Sequence, residues 1–205
     1  MTKIKLCGLK RECDIAWANE FQPDYAGFVF AGTKRRITDE TAQQLRNQLS
    51  ETIPAVGVFV NEPIAHITAL VQNGTIQLVQ LHGQEDDSYI QQLRQYVQVP
   101  VIQAFSICTI EDAEKAQQSP ADDILLDQGA GGTGQSFDWS VLQSMTRPYF
   151  LAGGLTTSNV GQALSYHPYA VDVSSGIETN GVKDKEKIKT FMAHVRRAAS
   201  QEGIK

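Results

Sequence analysis

The sequence predicts an α/β protein, a single-domain (β/α)8 or TIM barrel with short loops over residues 1–205, on three observations. Eight short apolar, β-branched runs follow one another with onsets about 20 to 30 residues apart. Stretches of helical periodicity lie between them, as parallel pairing demands, because each return crossing needs a helix. No G-x-G-x-x-G follows the first run, so the main sign of an open dinucleotide-binding sheet is missing, and a count of eight favours closure. At 205 residues the chain is near the lower end for such a barrel, and it shows no linker or low-complexity tract.

In chain order the predicted strands are KIKLC (3–7), YAGFVF (25–30), AVGVFV (55–60), IQLVQLH (76–82), PVIQAF (100–105), DILLD (123–127), YFLAGG (149–154) and YAVDVSSG (169–176). After the first, ECDIAWANEF reads as a helix with Cys13, Ala16, Trp17 and Phe21 on its buried face. After the fifth, Thr109 to Asp112 (TIED) reads as a helix start, with a capping hydroxyl and acids in the first turn. The last helix aligns Ile188, Phe191, Met192, Val195 and Ala199 on one face.

Composition excludes several classes. A net charge of -5 argues against a non-specific nucleic-acid binder, which needs a basic stripe to displace counterions. No run approaches ~18 apolar residues, so no membrane span is expected. The N-terminus lacks a secretory pattern, and the three cysteines, Cys7, Cys13 and Cys108, fit reduced thiols in a cytoplasmic protein. They match no C-x-x-C spacing and no histidine pair stands at ligand spacing, so no metal is expected.

In a barrel of this kind the chemistry gathers at the carboxyl ends of the strands. Gly153 and Gly154 follow the seventh run, and Ser174, Ser175 and Gly176 end the eighth. They are tight turns or a phosphate cradle, and these two loops are the frequent phosphate site of the fold. Asp127 ends the sixth strand and shares inward parity with Leu125, as a turn cap or as an acid whose partly desolvated carboxyl favours the proton. Cys7 has the parity of Lys5, opposite to Ile4 and Leu6, which places its thiol at the mouth as core filler or as a base. A lysine pointing into the barrel needs an anion, and Asp172 on the adjoining eighth strand is the expected partner of Lys5. Lys34, Arg35 and Arg36 follow the second strand, as a solvated face or a carboxylate grip. His82 ends the fourth, as a structural residue or a ligand contact. The glycine-rich stretch Gly131-Gly132-Thr133-Gly134 could fold over a ligand.

Taken together and in order, KLCGLK, GFVF, TKRRIT, VGVFVN, VQLHG, LLD…GGTG…FDW, LAGGL…NV and VDVSSGIE resemble the phosphoribosylanthranilate isomerase family nearly from end to end. The resemblance implies an enzyme of tryptophan biosynthesis that needs no cofactor and acts on one small phosphorylated sugar–anthranilate substrate, as a monomer or homodimer. The implied reaction is an Amadori rearrangement by general acid–base catalysis. Position by position, Asp127 would be the acid and Cys7 the base. Arg35, or else Arg36 beside it, would hold the anthranilate carboxylate. His82 and Asp172 would contact substrate, and Gly153, Gly154, Ser174, Ser175 and Gly176 the phosphate. The histidine-pathway isomerase runs the same rearrangement with an Asp where Cys7 stands, and a Schiff-base lysine at Lys5 would mean aldolase-type chemistry instead.

Overall fold

The computed structural model describes residues 1–127 and 139–202, with side chains as far as Ala198. Eight parallel strands close a barrel in sequence order: β1 (Lys3–Cys7), β2 (Tyr25–Val29), β3 (Ala55–Phe59), β4 (Leu78–Leu81), β5 (Val101–Ser106), β6 (Asp123–Asp127), β7 (Tyr149–Leu151) and β8 (Ala170–Val173), with β8 pairing back to β1. The crossings carry α1 (Glu12–Phe21), α2 (Asp39–Gln48), α3 (Ile64–Gln72), α4 (Asp87–Leu93), α5 (Ile110–Gln117) and α6 (Val160–Leu164), and α7 (Lys185–Glu202) closes the ring. Between β6 and β7 the described residues form only a short 3-10 helix, Trp139–Ser144. After β8 comes a small antiparallel hairpin of β9 (Glu178–Thr179) and β10 (Val182–Lys183). Among the described residues, no helix is long and apolar enough to cross a membrane.

Strand parity divides two cores. Ile4, Leu6 and Leu126 point outward into the layer between sheet and helices. Leu125, Phe150, Val56, Leu78 and Ile102 fill the barrel interior. Towards the amino-terminal end Phe150 packs between Tyr25 and Tyr169, with ring centroids 5.5 and 5.6 Å away, and the Lys3 ammonium lies 4.9 Å from the Tyr169 ring centre. Full burial of the Phe150 ring contributes roughly 1.5–3 kcal/mol by removing it from water. That end is plugged; the other is open.

Two expectations need correction. Five strands are shorter than their apolar runs: β2 and β3 by one residue, and three by more, since β4 is Leu78–Leu81, β7 stops at Leu151 and β8 at Val173. Gly153, Gly154, Ser174, Ser175 and Gly176 therefore belong to loops, where the backbone leaves the ladder to turn. Helix α1 is also rotated from the expected face. Cys13 and Ala16 are exposed, Trp17 and Phe21 are half-buried, and Asp14, Ile15 and Ala18 are buried. Asp14 decides that rotation. Its carboxylate accepts from the Lys10 and Arg11 backbone N–H groups at 3.0 and 3.1 Å and from the Arg11 guanidinium at 2.6 Å, meeting donors at the helix start that would otherwise lie unpaired. The cap at Thr109 is as expected: its hydroxyl accepts from Asp112 N, and Asp112 returns the bond. Ile188, Phe191, Met192 and Val195 are buried, whereas the Ala199 side chain lies outside the described residues.

Candidate active site

At the carboxyl ends of the strands a cavity of about 640 Å³ opens to solvent. Cys7, Arg35, His82, Asp127, Asp172 and Ser174 all line it. Two other hollows, of about 720 and 710 Å³, are a little larger. One lies between β7 and β8 beside Arg147 and the other at the start of α2 beside Arg36 and His66. Convergent titratable groups, not size, distinguish the barrel mouth. The same geometry separates the neighbouring arginines: Arg35 turns into the mouth and Arg36 lines the outer hollow. Gly153, Gly154, Ser175 and Gly176 stand at the adjoining rim rather than in the cavity lining. Gly131, Gly132, Thr133 and Gly134, expected to fold over a ligand, lie outside the described residues.

Cys7 is buried at the tip of β1. Beneath it the Lys5 side chain is wholly buried and its ammonium donates to Asp172 Oδ1 at 3.0 Å, the pair that strand parity and neighbouring registers imply. Burial works against the Lys5 charge, but Asp172 and the thiol outweigh it, and Lys5 remains an ammonium. Burial pushes the Cys7 thiol above its ordinary range, while Lys5 and then Lys183 draw it back. With the site open, Cys7 rests as a thiol. Ser174 ties β8 to β1 by donating to the Cys7 carbonyl at 3.0 Å, so its hydroxyl proton is already engaged.

Across the mouth, Asp127 ends β6 and His82 follows β4. His82 Nε2 lies 3.4 Å from Asp127 Oδ2, and Gln80 Nε2 lies 2.9 Å from His82 Nδ1. With the Gln80 amide placed as donor, Nδ1 accepts and Nε2 carries the proton that faces Asp127. Gln80 is buried and lines the cavity, and its Oε1 has no hydrogen-bond partner among the described residues, which leaves an acceptor for a ligand donor.

At the rim, the loops after β7 and β8 touch through a bridge between Thr156 and Gly176. A side chain at Gly176 would strike the Leu155 carbonyl, so only glycine permits this approach. Asn159 folds the first loop, accepting from Thr156 N at 2.7 Å and donating to the Gly154 carbonyl at 2.9 Å. Two backbone loops held side by side beside a barrel mouth suit an anion such as phosphate.

A family model described as N-(5'phosphoribosyl)anthranilate (PRA) isomerase matches residues 4–194 of this chain. The chain belongs to the phosphoribosylanthranilate isomerase family. It is 49% identical over 193 residues to the N-(5'-phosphoribosyl)anthranilate isomerase of Endomicrobium trichonymphae, covering 92% of this chain and 95% of that one. The crystal structure of phosphoribosyl anthranilate isomerase from Thermotoga maritima matches with a TM-score of 0.86 at 33% identity, over 96% of this chain and 100% of that one. A further isomerase structure, in complex with reduced 1-(o-carboxyphenylamino)-1-deoxyribulose 5-phosphate, matches with a TM-score of 0.84 at 33% identity and the same coverage.

Three residues in or directly behind the mouth escaped the sequence reading: Gln80, which lines the cavity, and Glu178 and Lys183, which bond the lining residues Arg35 and Ser174. The Glu178 carboxylate accepts from Arg35 Nε at 2.7 Å and Nη2 at 2.8 Å, and from Lys183 Nζ at 2.7 Å. Burial raises the Glu178 pKa, but the two cations outweigh it and hold the carboxyl at about 2. Lys183, almost fully buried, also donates to the Ser174 carbonyl at 3.0 Å. Burial lowers its pKa against the opposing pull of Glu178. The signal that could have found this pair is ETNGVK, an Asn-Gly turn between short extended pieces. Asn180 and Gly181 have φ of 54 and 77°, as a type I′ hairpin requires, and the turn sets Glu178 opposite Lys183.

Proposed function

We propose that this barrel converts N-(5'-phosphoribosyl)anthranilate into 1-(2-carboxyphenylamino)-1-deoxyribulose 5-phosphate with Asp127 as general acid and Cys7 as general base. Asp127 gives its proton to the ribose ring oxygen, and the bond from that oxygen to C1 breaks. The anthranilate nitrogen lone pair forms a C1=N iminium. That cation acidifies the C2 proton, which Cys7 removes, leaving an enolamine. The enolamine hydroxyl loses its proton as C1 gains one, giving the 2-ketone. One proton given and one taken balance the isomerisation, with C1 reduced and C2 oxidised inside one molecule.

The other groups bind and orient. The end-on edge of Arg35 takes the anthranilate carboxylate, His82 bonds the acid, Asp172 lies on the ribose side, and Gly153, Gly154, Ser174, Ser175 and Gly176 cradle the phosphate. Binding the remote phosphate holds the reacting carbon in register. The observation that carries this reading is that a thiol and a carboxyl from strands on different sides of the ring border one cavity, with Arg35 on a third side. Lys5 is unsuited to Schiff-base chemistry, because Asp172 keeps it charged.

The test uses the fluorescence of freshly prepared phosphoribosylanthranilate. Cys7→Ser and Asp127→Asn are each expected to slow turnover by about 10²–10⁴-fold, with an unchanged melting temperature. A Cys7→Ser enzyme at near-full rate would remove Cys7 from the mechanism.

A further inference from the structure

Arg35 is fixed at both ends. Its aliphatic stem lies over Gly8, where an added Cβ would come within 2.5 Å of Arg35 Cδ. Its side-on edge, Nε and Nη2, is taken by the two oxygens of Glu178. Glu178 in turn is held by Lys183, whose ammonium is saturated by Glu178, the Ser174 carbonyl at 3.0 Å and the Ser174 hydroxyl at 3.3 Å. The end-on edge of the guanidinium, Nη1 with the second hydrogen of Nη2, has no acceptor among the described residues. A planar fork with one edge clamped can offer only the other.

We propose that Glu178 is a positioning residue for recognition of the substrate's aromatic carboxylate: it holds the side-on edge of Arg35, supported by Lys183, so that the end-on edge meets the carboxylate. The proposal rests on the reading of Arg35 as the carboxylate's partner. Without Glu178 the guanidinium and the Lys183 ammonium would face each other uncompensated, and the arginine would swing towards solvent. The clamp therefore acts on selectivity for an ortho-carboxylated arylamine rather than on proton transfer.

The experiment compares kcat/KM for phosphoribosylanthranilate and for N-(5'-phosphoribosyl)aniline, the same sugar phosphate without the carboxyl. Glu178→Gln is expected to lower kcat/KM on the first by about 10- to 100-fold, mainly through KM, the range of a lost charged hydrogen-bond pair. On the aniline compound it should stay within about twofold of the parent enzyme, because no carboxylate is there to misplace. Glu178→Asp, which keeps the charge on a shorter arm, should retain part of the preference and gives the same readout if Glu178→Gln does not fold. Equal losses on both substrates, or no loss on the first, overturn the proposal. Arg35→Met separates it from its premise: if that variant keeps the parent's preference for the carboxylated substrate, the Arg35 reading fails and the role of Glu178 falls with it.

Discussion

In the proposed mechanism Cys7 must ionise to take a proton from carbon, yet burial favours its neutral form, and two ammonium groups oppose burial, Lys5 more strongly than Lys183. Lys5 also neutralises Asp172, whose negative charge would otherwise raise the thiol further. Replacing Lys5 by Met removes the nearest cation and exposes Cys7 to that charge. The rise of kcat/KM with pH should move to higher pH, and at pH 7 iodoacetamide should label Cys7 more slowly than in the parent. Truncating one partner of a buried pair also destabilises by about 3–5 kcal/mol, so labelling is read at a temperature where circular dichroism shows the variant folded. An unmoved pH profile would mean that Lys5 only fills space. The Lys5–Asp172 pair was legible in the sequence because alternation fixes direction and adjacent strands fix neighbours. The Glu178–Arg35 clamp was not, because two-residue strands carry no alternation to read.

At the scale of elements, the hairpin β9–β10 links sequence to chemistry. Gly181 sits at φ 77°, so Gly181→Ala costs about 1–2 kcal/mol for a left-handed residue with a side chain. It should also loosen the Glu178–Lys183 register and raise KM while kcat changes little, as steady-state kinetics would show. The clamp has a pH signature as well. Glu178 titrates at about 2 in the folded chain against an ordinary 4.5, so its stabilising charge is in place above about pH 5 and is lost as pH falls through 4.5 towards 2. Melting temperature should therefore fall more steeply with acid in the parent than in Glu178→Gln; parallel curves would contradict the assignment. Helix α1 shows the opposite lesson about legibility. Its existence was clear from periodicity, but its rotation was set by Asp14 meeting backbone donors, a polar requirement that hydrophobic spacing does not report.

For the whole molecule, eight strands and their closure were legible because the run spacing, the crossings and the absence of a glycine fingerprint agree. The strand ends were not, since Phe30, Val60 and Ala152 carry the apolar pattern one residue past β2, β3 and β7, and the small residues that follow β7 and β8 show no break in that pattern. The interior also makes a stability prediction. Phe150 is fully buried between Tyr25 and Tyr169, and Phe150→Ala should destabilise by about 3–5 kcal/mol in calorimetry while KM stays near the parent value, since the plug lies away from the mouth. Finally, the bond from Lys5 to Asp172 spans 167 positions of chain. On a ribosome adding about 5–20 residues per second, the opening strand waits roughly 10–30 s for its last neighbour. Until then a bare ammonium and an unclosed ladder edge stand beside Cys7, so nascent chains cut short of β8 expose a strand edge open to wrong pairing.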